Sequence, residues 1–401
     1  MNKLKIGVFG ARRGASYAAL FQAHERCEVI AVCDREIDTL EDAAFGPGVR
    51  RFKEFDAFLS WGKENGMTAV FLANFFHQHA PYAIRAMEAG LDVVSECTAA
   101  ATLRECVELV ECVERTGRRY MLAENYPYMT ANLKMNELVK SGKCGTLLYA
   151  EGEYNHSGSN EELARLTPGK NHWRAYLPRT YYLTHAMGPL LYMTDSMPLY
   201  VSARAAHSDL LAQNADVRHN YDGTAILFCE LSNGTVARFT GWTAMASDYS
   251  RYRVVGDRAS VECGGNVGPD VVRLFYFPHT KPDDEPENCR LIKADLSDFG
   301  EKGKRAANAG HGGGDFWVTE AAVEYLLDGR EPFFDVYRAV AMSATAILGW
   351  RSCLNHGENF KIPDFRDKAD RDRVRDDDLT PFPDENGRGA TLPCALPVKE
   401  N

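Results

Sequence analysis

The chain has 401 residues, 45% hydrophobic and 25% charged, enough for two ordinary domains with sizeable cores and too balanced for a disordered polymer. A formal charge of −10 and a pI near 5.6 exclude nucleic acid and anionic membranes as broad-surface partners, because both would repel such a surface. No run of about 18 apolar residues occurs and the N-terminus leads straight into a strand pattern, so a cytoplasmic protein with a small neutral or polar ligand is expected.

The first predicted element is a short apolar strand, Lys5-Ile6-Gly7-Val8-Phe9, followed by the turn Gly10-Ala11-Arg12-Arg13-Gly14-Ala15 and a helix through Tyr17–Phe21. A second strand, Val29–Cys33, ends in Asp34. In this βαβ order glycines let the backbone approach a pyrophosphate, the helix N-terminus offers unpaired N–H groups, and the acidic residue accepts ribose hydroxyls. Against G-x-G-x-x-G/A, Gly10 and Ala15 match and Arg12 replaces the middle glycine. Asp34 favours NAD by repelling a 2′-phosphate, whereas Arg35 beside it is suited to hold one, which leaves NADP open.

A helix over 37–44, a short strand region, the strand Ala69–Ala73, the helix Pro81–Gly90 and the strand Leu91–Ser95 follow. Residues 103–116 place Leu103, Cys106, Val107, Val110 and Val113 on one helical face, and the strand Tyr120–Ala123 delivers Glu124 and Asn125. Strands alternating with helices predict an α/β, doubly wound parallel domain over 1–125, with its ligand crevice at the carboxyl ends of the strands. Asp34, Asn74, Glu96 and Glu124 stand at such ends. The candidate cofactor contacts are Gly10, Ala11, Arg12, Arg13, Asp34, Arg35, Asn74, His79, Glu96, Cys97 and Asn125.

From about 147 the pattern changes to long β segments, Leu147–Asn155, Leu199–Ala206, Gly223–Leu231, Thr235–Thr243, Arg251–Val255 and Val271–Phe277, with a hairpin signal at Asn233-Gly234. Residues 126–365 therefore read as an α+β domain with a large, mostly antiparallel open sheet, whose exposed face suggests a homodimer or homotetramer. Residues 316–353 return to a helical pattern broken at Gly329 and Pro332, and 366–401 form a charged, peripheral tail. The eleven cysteines lack C-x-x-C spacing and read as reduced thiols. Neither His77-Gln78-His79 nor His311–Asp315 offers a closed ligand set, so no metal is expected.

The helix Ala86-Met87-Glu88-Ala89-Gly90 running into Val93-Val94-Ser95-Glu96, after the Gly-rich turn and before a β-rich half, resembles the oxidoreductases named after glucose–fructose oxidoreductase and inositol dehydrogenase. Most members carry Glu-Lys-Pro here, with a catalytic lysine; this chain has Glu96-Cys97-Thr98. Glu124-Asn125, Glu151-Gly152-Glu153-Tyr154-Asn155-His156, the turn Tyr182–Pro189 and the segment His311–Phe316 resemble, in order, the NAD-dependent glycosidase branch typified by α-N-acetylgalactosaminidases. The loop Ser157–Arg174 differs from that branch, so the identity of the sugar is not carried over.

The resemblance implies NAD chemistry on a carbohydrate: transient hydride abstraction from a sugar carbon, removal of the acidified neighbouring proton, elimination of the leaving group, addition of water and return of the hydride. It implies acid/base roles for His185 and Tyr154, leaving-group assistance by Glu124, and substrate contacts from Tyr182, Trp173, Arg174 and His311. A simple NAD(P)-dependent sugar or polyol dehydrogenase and a non-catalytic NAD-binding sensor are the alternatives. Each residue also has a plainer reading: Glu124 as a helix cap or ribose ligand, Tyr154 as packing within a sheet, His185 as a satisfied core imidazole.

Overall fold

The computed structural model describes residues 3–40, 45–46, 48–167, 172–212, 220–243 and 248–383. They form two units, one of residues 1–125, 305–343 and 364–378, the other of 126–304, 344–363 and 379–401. In the first, strands β1 (Leu4–Phe9), β2 (Cys27–Cys33), β3 (Arg50–Phe52), β4 (Ala69–Leu72), β5 (Asp92–Ser95) and β6 (Tyr120–Leu122) make a parallel sheet in the order β3-β2-β1-β4-β5-β6. This is the doubly wound order in which the connections reverse between β1 and β4, so the loops after those strands diverge and leave a crevice.

Near-continuous apolar strands such as Ala69–Leu72 are buried on both faces, which requires helices on each side. The helix Leu103–Thr116 is one of them. Thr102 and Glu105 close a capping box at its start, Gly117 ends it in the left-handed region, and Leu103, Cys106, Val107, Leu109, Val110 and Cys112 are buried. The inward stripe is centred closer to Leu109 and Cys112 than the sequence pattern suggests, leaving Val113 half-buried. Where a helix over 37–44 is expected, Ile37–Thr39 forms one short 3₁₀ turn; residues 41–44 lie outside the described set.

The expectation of a continuous second domain over 126–365 differs from the observed division. The helix Gly314–Asp328 returns to the first unit because it buries Phe316, Val318, Ala322, Val323 and Leu326 there, and the Arg119 guanidinium donates to the Tyr325 and Leu326 carbonyls near its C-terminus. Part of the expected tail does the same: the helix Lys368–Val374 is held by Arg371 to Glu114, and Arg375, just beyond it, by Glu111.

The second unit is built on a nine-stranded sheet. Its strands are β7 (Leu147–Asn155), β8 (Pro198–His207), β9 (Asp222–Leu231), β10 (Val236–Trp242), β11 (Tyr249–Gly256), β12 (Ala259–Gly264), β13 (Val271–Tyr276), β14 (Cys289–Lys293) and β15 (Phe360–Lys361). The order is β14-β13-β12-β11-β7-β10-β9-β8-β15, and only β7 and β10 run parallel. The sequence reading missed β12, β14 and β15, which are short, and β14 alternates only between half-exposed and exposed residues.

The helix Thr184–Thr194 lies on one face of this sheet, and Gly152 in β7 makes that contact possible: a Cβ there would meet the Ala186 carbonyl oxygen at 2.1 Å. The opposite face carries a row of alternating charge, Arg238, Glu151, Arg253, Glu262 and Arg273, aligned in register across β10, β7, β11, β12 and β13. Arg238 donates to Glu151 at 2.7 Å, the Arg253 Nε forms an ion pair with Glu151 at 2.8 Å, and Arg273 forms one with Glu262.

Candidate functional site

In the first unit the turn after β1 sets the geometry. Gly10 has φ 93, and a Cβ on it would sit 2.2 to 2.3 Å from the Ala73 carbonyl and the Asn74 nitrogen, so only glycine lets the loops after β1 and β4 close together. The helix Ala11–Gln22 starts at this point. Its first N–H, Ala11, donates to the Asp34 Oδ2 at 2.7 Å, and the Glu36 N–H donates to Oδ1 at 2.9 Å. Arg12 and Arg35 are exposed beside this turn.

This arrangement fits a dinucleotide. Arg12 and Arg13 belong to the first turn, where N–H groups have no carbonyl partner within the helix. Asp34 keeps lone pairs for ribose hydroxyls. At the end of β4 both polar atoms of the Asn74 amide are buried without a hydrogen-bond partner, an arrangement that calls for a ligand. His79 lies deeper, 2% exposed, with Nδ1 2.8 Å from the Thr98 carbonyl and Nε2 3.2 Å from that of Asn74. Burial pushes its pKa down to about 4, so the imidazole is neutral and spans the loops after β4 and β5.

Arg13, Tyr17, Asn125 and His311 converge on Asp315, a residue the sequence pattern places in a motif without a role. The Asp315 carboxylate accepts from the Arg13 Nη2 at 3.0 Å, the Asn125 Nδ2 at 2.7 Å, the Tyr17 hydroxyl at 3.1 Å and the His311 Nδ1 at 3.0 Å, while the Arg13 Nε donates to Glu96 at 2.7 Å. Burial by itself would raise the Asp315 carboxyl; the bonds from His311 and Arg13 override it and hold the group well below the usual carboxylate range. Arg13 and His311 are thus engaged with protein carboxylates. The signal for Asp315 was its position four residues after His311, opening an apolar helix.

Cys97 and Glu124 end adjacent strands, and the Cys97 thiol donates to the Glu124 Oε2 at 3.0 Å. Glu124 is fully buried and Cys97 is 8% exposed. The thiol and carboxylate are therefore partners at the position where the resemblance leads to a lysine.

In the second unit the structure brings Tyr154, Tyr182 and His185 together and adds Tyr126. The His185 ring stacks on Tyr126 at 4.3 Å and meets Tyr154 edge-on at 4.9 Å and Tyr182 at 5.8 Å. Tyr154 comes from β7, Tyr182 from a 3₁₀ turn, and His185 from the first turn of the helix Thr184–Thr194. The Tyr252 hydroxyl donates to the His185 carbonyl at 2.7 Å and anchors that turn. Tyr154 is 7% exposed, and burial first, then the neighbouring Tyr182 and Tyr126, push its phenol well above its ordinary value. It is a protonated donor at neutral pH. Arg174 lies over Trp173 at 4.4 Å and over Tyr182 at 5.7 Å. Tyr126 directly follows the Glu124-Asn125 pair in sequence, which is the one signal that pointed to it.

Residues 4–124 match the family model described as "Oxidoreductase family, NAD-binding Rossmann fold", residues 132–262 the "GFO/IDH/MocA C-terminal domain" and residues 293–370 the "Glycosyl hydrolase 109, C-terminal domain". The chain is 25% identical to a glycosyl hydrolase family 109 protein of Shewanella woodyi, with 91% of this chain and 85% of the relative covered. An α-N-acetylgalactosaminidase of Shewanella oneidensis is likewise 25% identical, with coverage of 91% and 85%. Among solved structures, levoglucosan dehydrogenase in complex with NADH gives a TM-score of 0.74 at 15% identity over 90% of this chain and 100% of that one. An oxidoreductase domain protein from Kribbella flavida gives 0.70 at 17%, over 90% and 100%. At those identities the likeness shows the fold. With residues 4–124 and 132–262 matched by models of one family and a parallel NAD-binding sheet ahead of a mostly antiparallel one, the chain belongs to the Gfo/Idh/MocA oxidoreductase family.

Proposed function

We propose that this protein is an NAD-dependent enzyme that cleaves a glycoside or modified sugar without net oxidation. The observation that carries the reading is the His185 cluster: an imidazole held between Tyr126, Tyr154 and Tyr182, in a chain with a thiol, Cys97, in place of the family's lysine proton handler. The similarity to glycosyl hydrolase family 109 proteins over most of the chain supports it.

The Gly10 turn, Asp34 and Asn74 would hold NAD, which would supply a temporary acceptor for hydride from one sugar carbon and return it after cleavage. The remaining work falls to side chains. His185 takes the proton from the carbon next to the oxidised one, its ring fixed by the stacked Tyr126. Tyr154, kept protonated by burial, donates to the sugar oxygen on which charge accumulates. Glu124 assists the departing oxygen, with the Cys97 thiol orienting its carboxylate. Tyr182, Trp173 and Arg174 hold the hydroxyls. The charged row on the opposite sheet face, flanked by the exposed Leu291 and Phe228, serves as the contact between copies in a homodimer or homotetramer.

The test is incubation with p-nitrophenyl α- and β-glycosides in the presence of NAD⁺, following aglycone release and absorbance of NADH together for wild type and His185→Ala. Release without NADH accumulation, lost in the variant, is the expected result. NADH accumulation without release would replace this reading with a dehydrogenase. Neither signal, with NAD bound, would favour a sensor.

A further inference from the structure

Arg179 differs from Arg371, the other buried arginine among the described residues. It is 6% exposed, and its guanidinium lies 5.3 Å over the Tyr182 ring. Among the described residues it makes no ion pair: Asp222 accepts the Arg179 backbone N–H at 3.3 Å and leaves the guanidinium without a bonded carboxylate. Arg371, of similar burial, has Glu114 at 2.7 Å, and the half-buried Arg13 has both Glu96 and Asp315. Arg174 lies on the same tyrosine at 5.7 Å, and it too has no ion pair among the described residues. Two cations thus share one aromatic ring with no ion pair among the described residues, in a protein with 56 carboxylates against 46 Lys and Arg residues.

Burying a charge is unfavourable unless it is paired, and a second like charge nearby adds to the cost. Burial first, and then the neighbouring Arg174, weaken the hold of Arg179 on its proton and outweigh the opposing influence of Tyr154, Tyr182 and the Asp222 carboxylate. The missing partner is supplied economically by a ligand. Guanidinium groups present planar, forked donors that match carboxylate and sulfate oxygens, and Tyr182 is the ring that also packs edge-on against His185.

We propose that Arg179, with Arg174, binds an oxyanion carried by the substrate, which makes the substrate class an acidic sugar or glycoside bearing a carboxylate or a sulfate ester. This rests on the reading of the Tyr154, Tyr182 and His185 cluster as the sugar site. The charged substituent lies against Tyr182, and the carbon that loses its proton lies at His185. Neutral sugars of the same stereochemistry leave the two guanidinium groups unpaired and bind more weakly.

The test is calorimetric titration of the full chain, saturated with NAD⁺, with glucuronate, galacturonate, N-acetylglucosamine 6-sulfate and their neutral counterparts, for wild type, Arg179→Gln and Arg179→Lys. At least one acidic sugar is expected to bind tenfold or more tightly than its neutral partner, with an advantage that shrinks at high salt. That ratio falls to near one in Arg179→Gln and is partly retained in Arg179→Lys, while thermal melts confirm that both variants fold. The uronate and sulfate arms identify the oxyanion. Equal binding of acidic and neutral sugars, no binding of any, or an unchanged ratio in Arg179→Gln overturns the proposal; an Arg179 that only supports Tyr182 would change both members of a pair alike. Arg179-dependent binding of an acidic sugar without aglycone release from its nitrophenyl glycosides would instead count against the glycosidase reading while leaving this proposal standing.

Discussion

Asp315 and Arg13 are 302 positions apart in sequence and joined by a bidentate bond, 3.0 Å from Nη2 to Oδ1 and 3.2 Å from Nη1 to Oδ2. The contact ties the first helix of the parallel domain to the helix Gly314–Asp328, so the N-terminal turn and a segment far downstream share one electrostatic unit. Its other members, Tyr17, Asn125 and His311, satisfy the remaining lone pairs of the carboxylate.

Asp315→Asn should therefore cost more than a surface pair. The substitution removes the charge of a buried carboxylate that accepts four donors while Arg13, half-buried, keeps Glu96, and a loss of about 2 to 3 kcal/mol in unfolding free energy is expected, read from urea denaturation. A change below about 1 kcal/mol, the range of exposed pairs, would mean that Arg13 is satisfied by Glu96 alone.

Gly152→Ala tests the packing that places His185. The added methyl group would stand 2.1 Å from the carbonyl oxygen of Ala186, which belongs to helix backbone and cannot rotate away. A stability loss of about 1 to 3 kcal/mol is expected from overpacking, with a larger fall in turnover than in NAD affinity, because the displaced turn carries His185. Unchanged melting and turnover together would show that the helix is free to shift.

The neutral His79 makes the protein sensitive to mild acid. Its folded pKa of about 4 lies below the ordinary 6.5, so the unfolded chain binds the extra proton between those values, and stability falls as pH drops from 6.5 towards 4. Above 6.5 the group contributes no pH dependence. The full difference is on the order of 3 kcal/mol, and His79→Gln should flatten this part of the stability curve. Parallel curves for the two proteins in urea titrations across that window would assign the acid sensitivity elsewhere.

Asp34→Ala should weaken NAD binding by roughly 10- to 100-fold, the equivalent of one or two hydrogen bonds to a charged acceptor, and narrow the preference over NADP because Arg35 remains. Fluorescence titration with both nucleotides measures it, with a melt to account for the lost Ala11 and Glu36 contacts. An NAD affinity equal to wild type would remove Asp34 from the cofactor site.

Residue order alone makes readable the elements whose physics is local. Period-two and period-3.6 patterns, the Gly10 turn with Asp34 after the next strand, and the Asn233-Gly234 hairpin all express constraints among residues close in the chain. Tyr154, Tyr182 and His185 were legible because two of them share a turn and the third lies in a family motif. Which groups meet depends on the fold. Nothing local in Gly310–Phe316 says that its aspartate pairs with Arg13, and nothing in Leu177–Thr180 says that Arg179 is buried with no ion pair among the described residues. Charge pairing and burial depend on which distant segment arrives alongside, and that is set by the packing of whole helices and sheets.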